Sequence, residues 1–289
     1  MYATAWDFGR ELGTFAAAFL ASCLGGALGL HCLLRSLRAA RLRRMTWLVL
    51  SAAAIGAGIW VTHTVGMMHF SADGRPVGYD PLTLYASLGV AIVMIGIGMF
   101  IVGHRGITGT ALFTGGTLTG LGIASLHYLS MAGVRFGGRL EYNTLVVAAS
   151  VLISVLAATV ALWAVGQRRG RRWDVGAALA MGLAGIGMHY VGMASVRVRL
   201  YTPAAAGAAL HGAGSPVRTL AVLLIGPVAF LALLTVLLLT RWRPASTLRA
   251  DDRDPAPARR LTFLPAQRSG QRAGRADPHR SRSGAGQNR

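Results

Sequence analysis

Seven nearly uncharged apolar stretches, separated by short charged connections, leave this chain few folds to choose from. They run roughly over 12–34, 46–70, 82–103, 108–131, 144–166, 174–196 and 218–240. Each is close to the ~20 apolar residues that cross a bilayer as a helix. Helices are expected, because backbone polar groups inside lipid must find their partners within the segment. Composition agrees: 13% of residues are charged, where soluble domains carry about 25%. The expected fold class is all-α, a polytopic membrane protein with seven transmembrane helices.

Function classes drop out on the same grounds. No span has a central Asp, Glu or Arg, the groups that ion-coupled transporters and proton relays need. There is no Walker motif, nucleophile elbow or HExxH, so no enzyme activity is expected. Cys23 and Cys32 are nine residues apart on one helix and point to opposite sides, which rules against a disulfide between them. No cleavable signal peptide is expected: the first apolar run is too long for one, and Asp7, Arg10 and Glu11 precede it.

The net charge of +19 is carried by arginine without any lysine. Alternate connections are rich in it: Arg35, Arg38, Arg41, Arg43 and Arg44, then His104 and Arg105, then Arg168, Arg169, Arg171 and Arg172. The positive-inside rule therefore puts the N-terminus outside and the C-terminus in the cytoplasm. Two segments result: a membrane domain over 1–240 and an Arg-rich cytoplasmic tail over 241–289. Low apolar content makes the tail disordered by expectation. Its charge would favour anionic lipid. It lacks the aromatic interleaving and modules of a nucleic-acid binder.

Three copies of His-x-x-[Gly/Ser]-Met sit near the outer ends of the even-numbered spans: His63 to Met67, His127 to Met131 and His189 to Met193. The histidines are 64 and 62 residues apart, room for about three two-helix repeats. Each copy is followed by a return helix, opened by Tyr79-Asp80-Pro81-Leu82 and by Tyr142-Asn143-Thr144-Leu145 in the first two. Residues four apart advance ~400° on a helix, so each His and Met share a face. Met188 lies ~100° around from His189, flanking it. The small residue before each Met (Gly66, Ser130 or Gly192) is expected to admit a neighbouring helix backbone, as are the other span glycines. Trp60 reads as packing. Met68 and His69 could add to the site, while His31, His104, His211 and His279 receive no role.

Imidazole with thioether suits copper, Cu(I) above all, better than the oxygen-seeking Mg or Ca. Zinc and heme stay open, heme fitting three histidines at one depth less naturally. The bland alternative, that these side chains only pack helices, weighs about evenly against ligation. The candidate metal ligands are His63, Met67, His127, Met131, Met188, His189 and Met193.

These motifs resemble the MHYT family of bacterial integral-membrane sensor domains, with seven helices and a repeated Met-His-Tyr-x-Gly-Met motif. Met188-His189-Tyr190-Val191-Gly192-Met193 departs from it only at Val191. The second copy has Leu126 for the leading Met and Ser130 for Gly; the first has Thr62 and Thr64 for the Met and the aromatic. The resemblance covers about residues 10–240. It implies a signalling sensor in a bacterial plasma membrane that binds copper and responds to oxygen, carbon monoxide, nitric oxide or redox state. It also implies that the signal passes to a separate output protein. Two other readings compete: a copper-handling carrier, and a structural membrane subunit.

Overall fold

Each apolar run becomes one helix. They are α1 (Ala5–Ser36), α2 (Arg41–Gly66), α3 (Pro81–Arg105), α4 (Gly109–Ala132), α5 (Thr144–Gly166), α6 (Arg171–Ala194) and α7 (Pro216–Thr240). The structure is a computed structural model that describes residues 5–68, 70–71, 77–167, 170–200 and 215–240. The expectations for the tail over 241–289, for the last outer loop with His211, and for His69, Asp73, Arg75, Arg168 and Arg169 fall outside the described residues.

Six of the seven helices are long and apolar enough to cross a membrane. The fourth is not among them, because five glycines and four threonines dilute its leucine-class side chains. The second helix begins at Arg41, five residues before the expected boundary at 46. Its first turn is therefore arginine-rich helix rather than connection.

The return helices start where local chemistry says they should. Asp80 caps α3, its carboxylate accepting from the Thr83 N–H at 3.1 Å, with Pro81 in the first turn. Asn143 caps α5, accepting from the N–H groups of Leu145 and Val146 at 3.0 and 3.3 Å. These side chains satisfy donors that a helix start leaves without a partner. The repeated Tyr-Asp and Tyr-Asn pairs are thus a strand end followed by a helix cap.

The connections at the motif end also hold strands that a purely helical reading does not contain. β1 (Gly78–Tyr79) pairs antiparallel with β2 (Val134–Arg135), and β3 (Gly138–Tyr142) with β4 (Val196–Leu200). Each ladder ties one repeat to the next. Arg135 reaches Asp80 at 3.3 Å, and Glu141 is held by Arg139 at 2.7 Å and Arg199 at 2.9 Å.

Consecutive helices pack side by side from α1 to α6, and α6 returns to α1, closing a ring. The even helices α2, α4 and α6 also meet one another inside it. The seventh packs mainly on α2. Outward faces are apolar: Leu20, Val49, Val93, Phe113, Leu152, Ile225 and Leu239 are each at least half exposed. A surface that apolar is met by lipid rather than water.

Where α2 and α1 cross, Gly58 and Gly25 face each other so closely that a Cβ on Gly58 would lie 2.7 Å from the Gly25 Cα and 2.9 Å from the Ala21 carbonyl. Trp60, fully buried on α2, donates to the Leu84 carbonyl at 3.0 Å and stacks on Tyr85 at 5.7 Å, nearly coplanar. Tyr85 in turn donates its hydroxyl to the Leu223 carbonyl at 3.1 Å. That carbonyl lies four residues before Pro227, a proline inside α7. Proline has no N–H to give it, so Tyr85 replaces the missing helical bond. Tyr85→Phe is expected to lower stability by about 1–3 kcal/mol, the cost of an unpaired buried acceptor. Thermal unfolding in detergent, against wild type, measures it.

Candidate metal centre

The period of the motif sets the site. A helix, a connection at the motif end, a return helix and a connection at the far end bring each histidine back to the same level of the bundle one repeat later. His63, His127 and His189 meet where α2, α4 and α6 converge, with exposures of 4%, 2% and 4%. The Nδ1 atom of His63 lies 3.2 Å from that of His189 and 3.2 Å from that of His127. The three rings stand edge to face, their centroids 5.1 to 5.3 Å apart.

Three nitrogens this close, in a dry site, need a positive charge or a shared proton between them. A neutral imidazole carries one N–H and one lone pair, and two lone pairs pointed at each other repel. On His127 the other ring nitrogen, Nε2, is buried without a hydrogen-bond partner among the described residues. The converging Nδ1 set, and not that atom on the far side of the ring, fits a cation held by three imidazoles. The spacing is compatible with nitrogens about 2 Å from a common ion.

The glycines of the motif make this packing feasible, in a different way from the one expected. A Cβ on Gly66 would collide with the Nε2 edge of His189, and a Cβ on Gly192 would lie 2.7 Å from His127 Nε2. The small residue admits the imidazole of another copy rather than a helix backbone. Each glycine sits one turn beyond its own histidine and clears space for another helix's ring. In the second copy, the corresponding Ser130 is buried, its hydroxyl 2.7 Å from that of Ser87 on α3.

The motif methionines belong to the hydrophobic core of the bundle. Met67, Met131 and Met188 are buried, and Met193 is half-buried against the same core. At the leading position, Leu126 and Met188 are core residues, and the Thr62 hydroxyl donates to the Ala18 carbonyl on α1 at 2.8 Å. The aromatic position packs on the site's edge: Tyr128 on His127 with centroids 4.9 Å apart, and Tyr190 on His189 at 5.3 Å. The Tyr128 hydroxyl is bonded to that of Ser150 at 2.7 Å. Sequence reasoning did not anticipate Ser87, Tyr85 or Ser150. Each is an ordinary residue on an odd helix, with no repeat to mark it.

Comparison with known proteins adds the lineage. Residues 56–115 and 120–178 match the MHYT family, described as the bacterial signalling protein N-terminal repeat. These two matches hold His63 and His127; the copy around His189 lies beyond them and joins through the geometry above. A bifunctional diguanylate cyclase/cyclic di-GMP phosphodiesterase of Pseudomonas aeruginosa, MucR, is 39% identical over 161 residues, 54% of this chain and 23% of that protein. The cyclic di-GMP phosphodiesterase NbdA of the same organism is 34% identical over 190 residues, 63% of this chain and 24% of that protein. The Bacillus subtilis signaling protein YkoW is 27% identical over 159 residues, 53% and 20% of the two chains. The chain thus matches about a fifth to a quarter of the length of these curated relatives. What it shares with them is the MHYT region and not their enzymatic portions. No solved structure matches it. With its apolar helices and its three-copy histidine motif, the chain is a multi-pass membrane protein that carries MHYT repeats of bacterial signalling proteins over residues 56–178.

Proposed function

We propose that the chain is a membrane sensor whose input is a copper ion held by His63, His127 and His189. Met67, Met131, Met188 and Met193 supply softer donors around it. All seven helices cross the membrane in this reading, with the N-terminus outside, so the site lies in the outer half of the bilayer. The observation that carries it is the buried triangle of Nδ1 atoms, two of its sides 3.2 Å long, with no carboxylate or cysteine in the cluster among the described residues. Such a donor set favours copper over oxygen-seeking cations. Bound copper would supply a centre that changes valence or takes a diatomic ligand such as oxygen, carbon monoxide or nitric oxide.

The chain's own residues would do the rest. The imidazoles orient their lone pairs inward, and the apolar shell keeps water out. Gly66 and Gly192 hold the rings in register. Three residues before His63, Trp60 stacks on Tyr85, which is bonded to α7 at Leu223. A displacement of α2 would therefore be felt at α7. Enzymes that make or degrade cyclic di-GMP, the activities named for two relatives, are the class of output partner to test first.

The decisive measurement is metal content by elemental mass spectrometry after exposure to Cu(I). Near-stoichiometric copper is expected in the wild type. None is expected in a His63→Ala/His127→Ala/His189→Ala variant. A His127→Gln variant guards against misfolding, since it keeps a polar side chain at the site and gives up only the Nδ1 contact to His63. If the wild type and both folded variants hold the same copper, the proposal is dropped.

A further inference from the structure

At the opposite end of the helices from the histidines, the turn between α1 and α2 is built around a small basic cavity. We infer that this cavity, of about 270 Å³ and lined by Arg35, Arg38, Arg43 and Trp47 together with Ala39 and Ala40, is a binding site for a phosphate ester.

The connection is short and tightly bonded. The Arg38 N–H donates to the Arg35 carbonyl at 3.2 Å, and Ala39 N–H to the Ser36 carbonyl at 3.1 Å. This turn carries Arg38 and brings Arg35 of α1 against Arg43 of α2. The Arg35 guanidinium lies 5.1 Å from the centroid of the Trp47 ring, so an aromatic face fixes its position. Three guanidinium groups, from two helices and the turn between them, thus border one hollow.

Among the described residues none of the three is held in an ion pair, although Asp174 at the start of α6 acts on the same His31 as Arg35 and Arg38. The ion pairs there use Arg135, Arg139 and Arg199, all at the other end of the helices. The start of α2 adds to the imbalance. Its cap residue, Ala40, makes no side-chain cap, and its first turn has no acidic residue. It carries Arg41, Arg43 and Arg44 instead, cations where the helix dipole favours anions. The Nε of Arg44 is buried and unpaired among the described residues. An anion in the cavity would offset the charge of Arg35, Arg38 and Arg43, which line it. Guanidinium forks match the paired oxygens of a phosphate, and helix starts accept phosphate readily. The volume falls just below the ~300–1,000 Å³ of pockets for drug-sized ligands, which suits a headgroup or small phosphate ester. That chemistry could come from an anionic phospholipid at the cytoplasmic leaflet, where the positive-inside rule puts this turn, or from a soluble phosphate.

Native mass spectrometry of the full chain in neutral detergent tests this, with phosphatidylglycerol and phosphatidylcholine offered in turn. Isothermal titration with inorganic phosphate follows. Arg38→Gln/Arg43→Gln is compared with Arg105→Gln/Arg172→Gln, which removes equal charge from the other arginine-rich connections. Binding is expected to weaken at least about tenfold in the first variant and to hold in the second. Preference for phosphatidylglycerol that phosphate does not displace assigns a lipid headgroup. Saturable phosphate binding that displaces the lipid, or occurs without it, assigns a soluble ester. Equal losses in the two variants would overturn the site, leaving a generally positive loop. So would a wild type that binds neither phosphatidylglycerol in preference to phosphatidylcholine nor phosphate.

Discussion

Gly192→Ala is expected to keep the helices and lose most of the metal. The added methyl would stand 2.7 Å from His127 Nε2, closer than a carbon and a nitrogen can rest. The ring must tilt or α6 must shift outward. Overpacking of this kind costs about 1–3 kcal/mol. The larger effect falls on ligand geometry, because the same displacement pulls Nδ1 away from its two partners. Disturbing the groups that orient a ligand lowers metal affinity about 10- to 100-fold, so Cu(I) affinity by competition with a chromogenic chelator should fall by that factor. Gly66→Ala should do the same through His189. Gly89→Ala is the matched control: no atom lies within 4 Å of its added methyl, and it sits in a helix interior. It should bind copper normally and gain up to about 1 kcal/mol from helix propensity. If Gly192→Ala and Gly89→Ala bind alike, the motif glycine does not seat the imidazole.

Gly58→Ala should be the most damaging change outside the histidine site. Where Gly192 meets a side-chain ring, Gly58 meets backbone: the Cα of Gly25 and the carbonyl of Ala21 on α1. Backbone cannot change rotamer, so relief requires the two helices to separate. That separation would break the Thr62 bond to the Ala18 carbonyl further along the same crossing. It would also strip contacts from Ile55, which is fully buried and lies against Gly29 on α1. Lost packing across such an interface exceeds the cost of one strained side chain, and a loss of about 3 kcal/mol or more is expected. Thermal unfolding and the yield of monodisperse protein, again against Gly89→Ala, measure it. A variant as stable as wild type would mean that α1 and α2 do not approach as closely as described.

Much of this architecture could be read from residue order. Apolar length located the helices, and the 62- to 64-residue spacing of the histidines put them at one depth. The pairing of His with Met at four-residue spacing also pointed to one face. What spacing could not supply was rotation. A repeat period says how far along its helix a residue lies, not which neighbour it looks at. The glycine of the motif was therefore taken to meet backbone, when it meets a ring two or four helices away in the chain. Arg41, Arg43 and Arg44 looked like a loop because charge marks the end of an apolar run, yet the helix extends through them. The bond from Tyr85 to Leu223 spans 138 residues of sequence. It became meaningful only once Pro227 was seen to deprive that carbonyl of its own partner.

The mutual clearance between motif copies bears on how such a protein can evolve. In a string of independent repeats, one copy can decay while the others keep working. Here the glycine inherited with the third copy protects the histidine of the second, and the glycine of the first protects the histidine of the third. A lineage that lost one copy would expose a fault in another. The unit of selection is therefore the whole trio, and changes at these positions should appear in pairs drawn from different repeats.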